Sequence, residues 1–183
     1  MSYADKVFVD MCSDILKNGI DTKGEKVRPK WDDGSYAYTI KKFGVVNRYD
    51  LKKEFPALTL RKTNLKNCVD EILWIWQKKS NKVSELNSHI WDQWAGEDGT
   101  IGKAYGYQFA QKYEFKTKEG IQKMDQVDYA LYLLKHDPAS RRIMTNLFNH
   151  AELKDMNLEP CAYSTQWLVK GGKLHLILNQ RSQ

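Results

Sequence analysis

Residues 160–179 read Pro160-Cys161-Ala162-Tyr163-Ser164-Thr165-Gln166-Trp167-Leu168-Val169-Lys170-Gly171-Gly172-Lys173-Leu174-His175-Leu176-Ile177-Leu178-Asn179. Tyr163–Val169 is rich in aromatic and β-branched residues and predicts a strand, as does Leu174–Asn179. Gly171-Gly172 between them supplies the turn that joins two antiparallel strands. Pro160 lacks an N–H and stiffens the approach, so Cys161 falls at the mouth of the first strand. A cysteine held at such a boundary can project into a cleft as a nucleophile. A lone cysteine is more often a small buried apolar residue, and on the residues alone both readings stay open.

Moving upstream, Arg142–Phe148 predicts another strand. Ser140-Arg141-Arg142 precedes it, just after a helix expected over Asp125–His136, with Val127, Ala130, Leu131 and Leu134 facing inward and Asp137-Pro138 as the stop. Asn67–Gln77 predicts a helix that is apolar on most sides and therefore buried centrally. Ser80 and Ser84 are N-cap candidates for a short helix after it. Residues 4–18 carry Val7, Met11, Ile15 and Leu16 at helical spacing and end at Asn18-Gly19. Residues 21–36 are polar and predict a long loop. Tyr38–Tyr49 predicts extended structure with Gly44 as a bulge, closed by Phe55-Pro56. Helices come early and strands gather late, which is an α+β pattern in one domain.

Composition bounds the rest. The 183 residues hold 29 Lys+Arg against 23 Asp+Glu, a formal charge of +6, with 42% apolar residues. That excludes a disordered tail and a disulfide-stapled miniprotein. The densest apolar run, Ile72–Trp76, is far short of the ~20 residues a bilayer needs. The first residues carry an acid and no apolar stretch of a secretory leader. Cys12, Cys68 and Cys161 are odd in number and widely spaced, which predicts reduced thiols in the cytoplasm. Histidines 89, 136, 150 and 175 lack ligand-like spacing, so no metal is expected. No glycine-rich phosphate loop is present.

Several residues remain that suit chemistry. Glu71 is a carboxylate within an apolar helix, where burial without a partner raises the pKa and makes an acid/base group. Adjacent Arg141 and Arg142 can present two guanidinium forks to a phosphate, or form a solvated basic turn. Arg28 and Arg181 are unremarkable in isolation. Four of the six tryptophans fall between residues 74 and 94. Trp91 and Trp94 suit stacking on a flat heterocycle, although core packing is the commoner role.

Taken in order, these segments resemble the thymidylate synthase family. Glu71-Ile72-Leu73-Trp74-Ile75-Trp76 is similar to its glutamate helix, and Ile90-Trp91-Asp92-Gln93-Trp94 to its folate-side tryptophan segment. Tyr105-Gly106-Tyr107-Gln108-Phe109 resembles its active-site tyrosine loop. Asp125-Gln126 with Asp137-Pro138-Ala139-Ser140-Arg141-Arg142-Ile143 resembles the helix leading to its paired arginines. Pro160-Cys161 with Gln166-Trp167 resembles the nucleophile segment, and Gln180-Arg181-Ser182 the start of a phosphate-binding stretch continuing into Gln183.

The resemblance implies an α+β fold with a mixed β-sheet packed by helices, one sheet face serving for dimerisation. It implies methylation of dUMP to dTMP with 5,10-methylenetetrahydrofolate as co-substrate, giving dihydrofolate. Cys161 would add to C6 of the uracil ring, with Glu71 relaying protons and Tyr105 ordering water. Arg28, Arg181, Ser182 and Gln183 would hold the phosphate, and Gln166 would support the pyrimidine. Arg141 and Arg142 would reach the other subunit's site in a homodimer. Asn64, Glu71, Trp91 and Trp94 would flank the folate. Arginines around a dianion account for much of the +6 charge.

The chain departs from the family at Ala162, where histidine is common, at Arg28-Pro29-Lys30-Trp31, and at Asn64, where a folate-side histidine is common. Family members also continue past the Arg-Ser pair with a folate-binding aspartate, a base-reading asparagine and a closing tail. The expectation is a single domain over 1–183 truncated relative to the family, whose 183 residues alone do not turn over. Two other readings are carried: a deoxypyrimidine monophosphate hydroxymethylase, and a nucleic-acid-binding module without catalysis. Neither a membrane nor an obligatory nucleic acid is expected as partner.

Overall fold

A computed structural model describes residues 1–182. Contacts divide the chain into two compact units, Met1–Asn64 and Leu65–Gln183.

In the first unit, helix α1 spans Tyr3–Asn18. Ser2 and Asp5 form its capping box. The carboxylate of Asp5, fully buried, also accepts from the Thr59 N–H at 2.7 Å. That second partner pins the segment near residue 59 to the start of the helix. The extended structure expected over Tyr38–Tyr49 shrinks to strand β2, Ile40–Lys41, which pairs only with β1, Ile20–Asp21. A two-residue partner cannot hold a longer strand. Gly44, at φ +77°, is part of a bend rather than a bulge.

In the second unit, α2 spans Leu65–Trp76 and buries only Trp74 and Ile75. Its central burial is therefore a correction: Leu65, Val69, Ile72 and Leu73 are exposed, because one side alone meets the core. Cys68, on the same open side, is exposed too. Ser80 caps no helix; its Oγ accepts from the Lys82 N–H in a turn, and Lys82 precedes a 3-10 turn at Val83–Glu85 that begins before Ser84. Helix α3, Gly106–Ala110, starts so close to this turn that a Cβ on Gly106 would lie 1.9 Å from the Ser80 carbonyl oxygen.

Strands β3, Tyr113–Thr117, and β4, Gly120–Met124, form a hairpin that the sequence reading missed. Its signal is the alternation Tyr113-Glu114-Phe115-Lys116-Thr117 before Gly120. Helix α4 spans Gln126–His136, and Asp125 caps it by accepting from the Val127 and Asp128 N–H groups. It buries Ala130 and Leu133, while Leu131 is exposed. The helical period from Ala130 returns at 133, not 131.

The main sheet runs β5 (Met144–Asn146), β6 (Ala162–Lys170), β7 (Lys173–Gln180), antiparallel throughout. The α+β class stands, and the expected mixed sheet takes the form of antiparallel pairs among the described residues. β5 is shorter than Arg142–Phe148, although backbone bonds at Ile143 and Leu147 extend its pairing at both ends. Gly171 and Gly172, at φ +59° and +70°, make the two-residue turn, since both positions need the left-handed region. Residues directly opposite in an antiparallel pair share a face. Trp167 therefore packs inward on Ala130, Leu133 and Ile143, and Gln166 lies on the outer face with Met144 and Ile177.

Candidate active site

The larger core of the second unit holds Trp74, Ile75, Leu86, Trp91, Ile101, Tyr105 and Phe109. The site candidates are built on its edge. Trp74 anchors α2 by donating its indole N–H to the Lys82 carbonyl at 3.1 Å. One helical turn earlier, Glu71 is half-buried. Its Oε1 accepts the indole N–H of Trp91 at 2.7 Å.

Trp91 is buried, and its ring sits 5.3 Å from Trp94 and 5.3 Å from Tyr105, centroid to centroid. Tyr105 has φ +40°, a conformation costly for a side chain with a Cβ. That backbone sends the phenol toward the nucleophile segment. The Cys161 N–H donates to the Tyr105 Oη at 3.0 Å. Burial pushes the Tyr105 phenol pKa up; the Cys161 N–H opposes this, while the negative charges of Cys161 and Glu71 reinforce it. The phenol therefore stays protonated and can donate while it accepts.

Arg181 closes the arrangement. Its N–H donates to the Cys161 carbonyl at 2.9 Å. Its guanidinium donates to the Pro160 carbonyl at 3.0 Å and the Glu159 carbonyl at 2.8 Å. Two of its five donors are thus committed to the turn before Cys161, leaving others for a ligand. Glu71, Trp91, Tyr105, Cys161 and Arg181 form one connected series of contacts, with half-buried Trp94 beside it.

Arg141 and Arg142 are exposed on a loop whose Ser140 is buried. Neither guanidinium has an acidic partner among the described residues. Gln166 donates its amide to the Arg141 carbonyl at 3.0 Å. Ser182 is exposed, and Gln183 lies outside the described residues. Arg28 and Asn64 belong to the first unit, where Arg28 shares a hollow with Glu25, Lys26, Lys41 and Thr39.

One cluster escaped sequence reasoning. The carboxylate of Asp125, with no exposed surface, takes Lys79 at 2.6 Å and Lys112 at 2.5 Å while capping α4. Burial pushes its pKa up, but the two ammonium groups and the capping amides outweigh burial and hold it far below the usual carboxylate range. Lys79 adopts φ +54° just past α2. Nothing in a Lys-Lys-Ser sequence announces that geometry.

The family model described as thymidylate synthase matches residues 6–183. The chain belongs to the thymidylate synthase family. It is 49% identical to thymidylate synthase 1 of Bacillus spizizenii across all of this chain and 65% of that protein. It is 48% identical to the thymidylate synthase of Bacillus phage phi3T with the same coverage. Thermostable thymidylate synthase A from Bacillus subtilis, a solved structure, superposes with a TM-score of 0.88 at 48% identity. That match covers 98% of this chain and 64% of the other. The chain thus spans about two thirds of the length of these thymidylate synthases, a little under in each case. No helix among the described residues is long and apolar enough to cross a membrane.

Proposed function

We propose that the protein serves the methylation of dUMP to dTMP, with Cys161 as nucleophile, and that residues 1–183 act as one thymidylate synthase-like domain. The observation that carries this is the continuous series of hydrogen bonds and one ring contact from Glu71 through Trp91, Tyr105 and Cys161 to Arg181, in a member of this family. The Cys161 thiolate forms a bond to C6 of the uracil ring, and the C5–C6 π pair moves to C5 and the C4 carbonyl as an enolate. Arg181 is tied to the nucleophile segment by its backbone N–H on the Cys161 carbonyl. The Tyr105 phenol holds water near C5, and the Glu71 carboxylate relays protons.

The residues present suit a reduced folate. Glu71 is a half-buried acceptor, and half-buried Trp94 offers an aromatic surface on buried Trp91. Together with Asn64 they would hold 5,10-methylenetetrahydrofolate. When bound, that co-substrate supplies the one-carbon unit and the hydride. Arg28, Arg181, Ser182 and Gln183 bind the phosphate, with Arg141 and Arg142 reaching the partner's site. The outer sheet face, with exposed Met144, Leu168 and Ile177, is the surface for that second copy. The relatives are thymidylate synthases, which favours methylation over hydroxymethylation.

The test is alkylation by iodoacetamide, followed by peptide mass mapping that reads Cys161 and Cys68 separately. dUMP is expected to slow modification of Cys161 and not of Cys68. Equal rates with and without dUMP overturn the reading.

A further inference from the structure

The outer face of β6 grips the arginine loop at both ends. Gln166 donates its side-chain amide to the Arg141 carbonyl at 3.0 Å. One residue on, the Trp167 N–H donates to the Ile143 carbonyl at 2.8 Å. A third restraint lies between them: the Arg142 N–H donates to the Oγ of buried Ser140 at 3.3 Å. Ser140 is itself fixed by its N–H to the Asp137 carbonyl at 3.0 Å. The backbone of residues 140–143 is therefore held on three sides, while both guanidinium groups are exposed and uncommitted among the described residues. A fixed backbone carrying free charged side chains is pre-organised for a ligand, because less ordering remains to be done on binding.

We infer that Gln166 is a positioning residue for the Arg141–Arg142 anion site, acting through the Arg141 carbonyl, rather than a contact to the pyrimidine. This rests on the nucleotide reading above for the identity of the anion as a phosphate monoester. The base and the phosphate are separable in one ligand pair, dUMP and deoxyuridine, which share the base and differ by the phosphate.

Gln166→Met keeps the side-chain length and removes the amide. Protection of Cys161 from iodoacetamide is titrated with each ligand. The expected result is dUMP protection weakened about three- to tenfold, the effect of one hydrogen bond, with deoxyuridine protection unchanged. Gln166→Asn keeps the amide and adds no charge but falls short of the Arg141 carbonyl, and is expected to show the same split. It decides the question if the Met variant lacks a cooperative urea transition. Equal weakening for both ligands overturns the positioning role in favour of a base contact. No weakening for either overturns it as well. Wild-type protein that dUMP fails to protect sinks the nucleotide reading and the inference with it; a protected wild type with an unaffected Gln166→Met sinks only the inference.

Discussion

The nucleophile side and the arginine side of this molecule are built in opposite ways. Around Cys161, side chains find their partners inside the protein: Glu71 with Trp91, Tyr105 with the Cys161 amide, Arg181 with two carbonyls. Around Arg141 and Arg142 only the backbone is fixed, and the charged ends face solvent. On the function proposed above, the difference follows from what each side would do. An acid/base group or nucleophile works through its geometry, so its neighbours are set before any ligand arrives. A phosphate clamp works through its charge, and an internal partner would have to be displaced first.

The largest expected effect concerns what stands behind the arginine loop. Asp125 starts α4, the helix that leads into it, and its fully buried carboxylate takes two lysines, mostly covered Lys79 and half-exposed Lys112. Asp125→Ala leaves two ammonium groups and two capping amides without that acceptor, and should lower unfolding stability by about 3 kcal/mol in urea. The pH dependence has a definite sign. A carboxylate whose folded pKa is lowered binds fewer protons folded than unfolded, so its contribution is complete above the unfolded value. It declines as pH falls below about 4. Wild type should therefore lose stability in acid faster than the variant does. If the two decline in parallel, the arginine side is not anchored through this carboxylate.

Much of this was legible in the sequence, though unevenly. Cys161 at the mouth of a strand and the Gly171-Gly172 turn are local features, set by a few adjacent residues, and they appear where the residues place them. The burial of α2 was misjudged because periodicity shows which residues are apolar, not how many sides of a helix meet a neighbour. Leu131 lies on the open side for a related reason: the four consecutive residues Leu131-Tyr132-Leu133-Leu134 are all apolar or aromatic and leave the phase of the helix open. The Glu71–Trp91 bond spans 20 positions, and the Lys79–Asp125 contact spans 46. Such pairs are fixed by the tertiary fold, and no local pattern encodes them.

An intermediate effect is expected on the nucleophile side. Trp91→Phe retains the aromatic packing on Tyr105 and Trp94 but removes the indole N–H from Glu71. A hydrogen bond to a charged group contributes about 1.5 kcal/mol or more when enclosed. Half-exposed Glu71 recovers part of that from water, so the loss should be about 1 kcal/mol. Circular dichroism in urea measures it. No loss at all would mean that the carboxylate is as loosely held as the arginines, and the contrast between the two sides would fail there.

The smallest effect on stability should come from the double variant Arg141→Ala with Arg142→Ala. Both residues are exposed, and neither guanidinium has an internal acceptor among the described residues. Surface changes of that kind stay within about 0.5 kcal/mol. The same variant should weaken dUMP protection of Cys161 at least as much as Gln166→Met does, because it removes the charges and not merely their alignment. The two measurements together separate a binding element from a structural one. A stability loss well above that range would show that the guanidinium groups have partners within the folded protein. The loop would then be built like the nucleophile side, and its readiness for an anion would have to be explained by displacement of those partners.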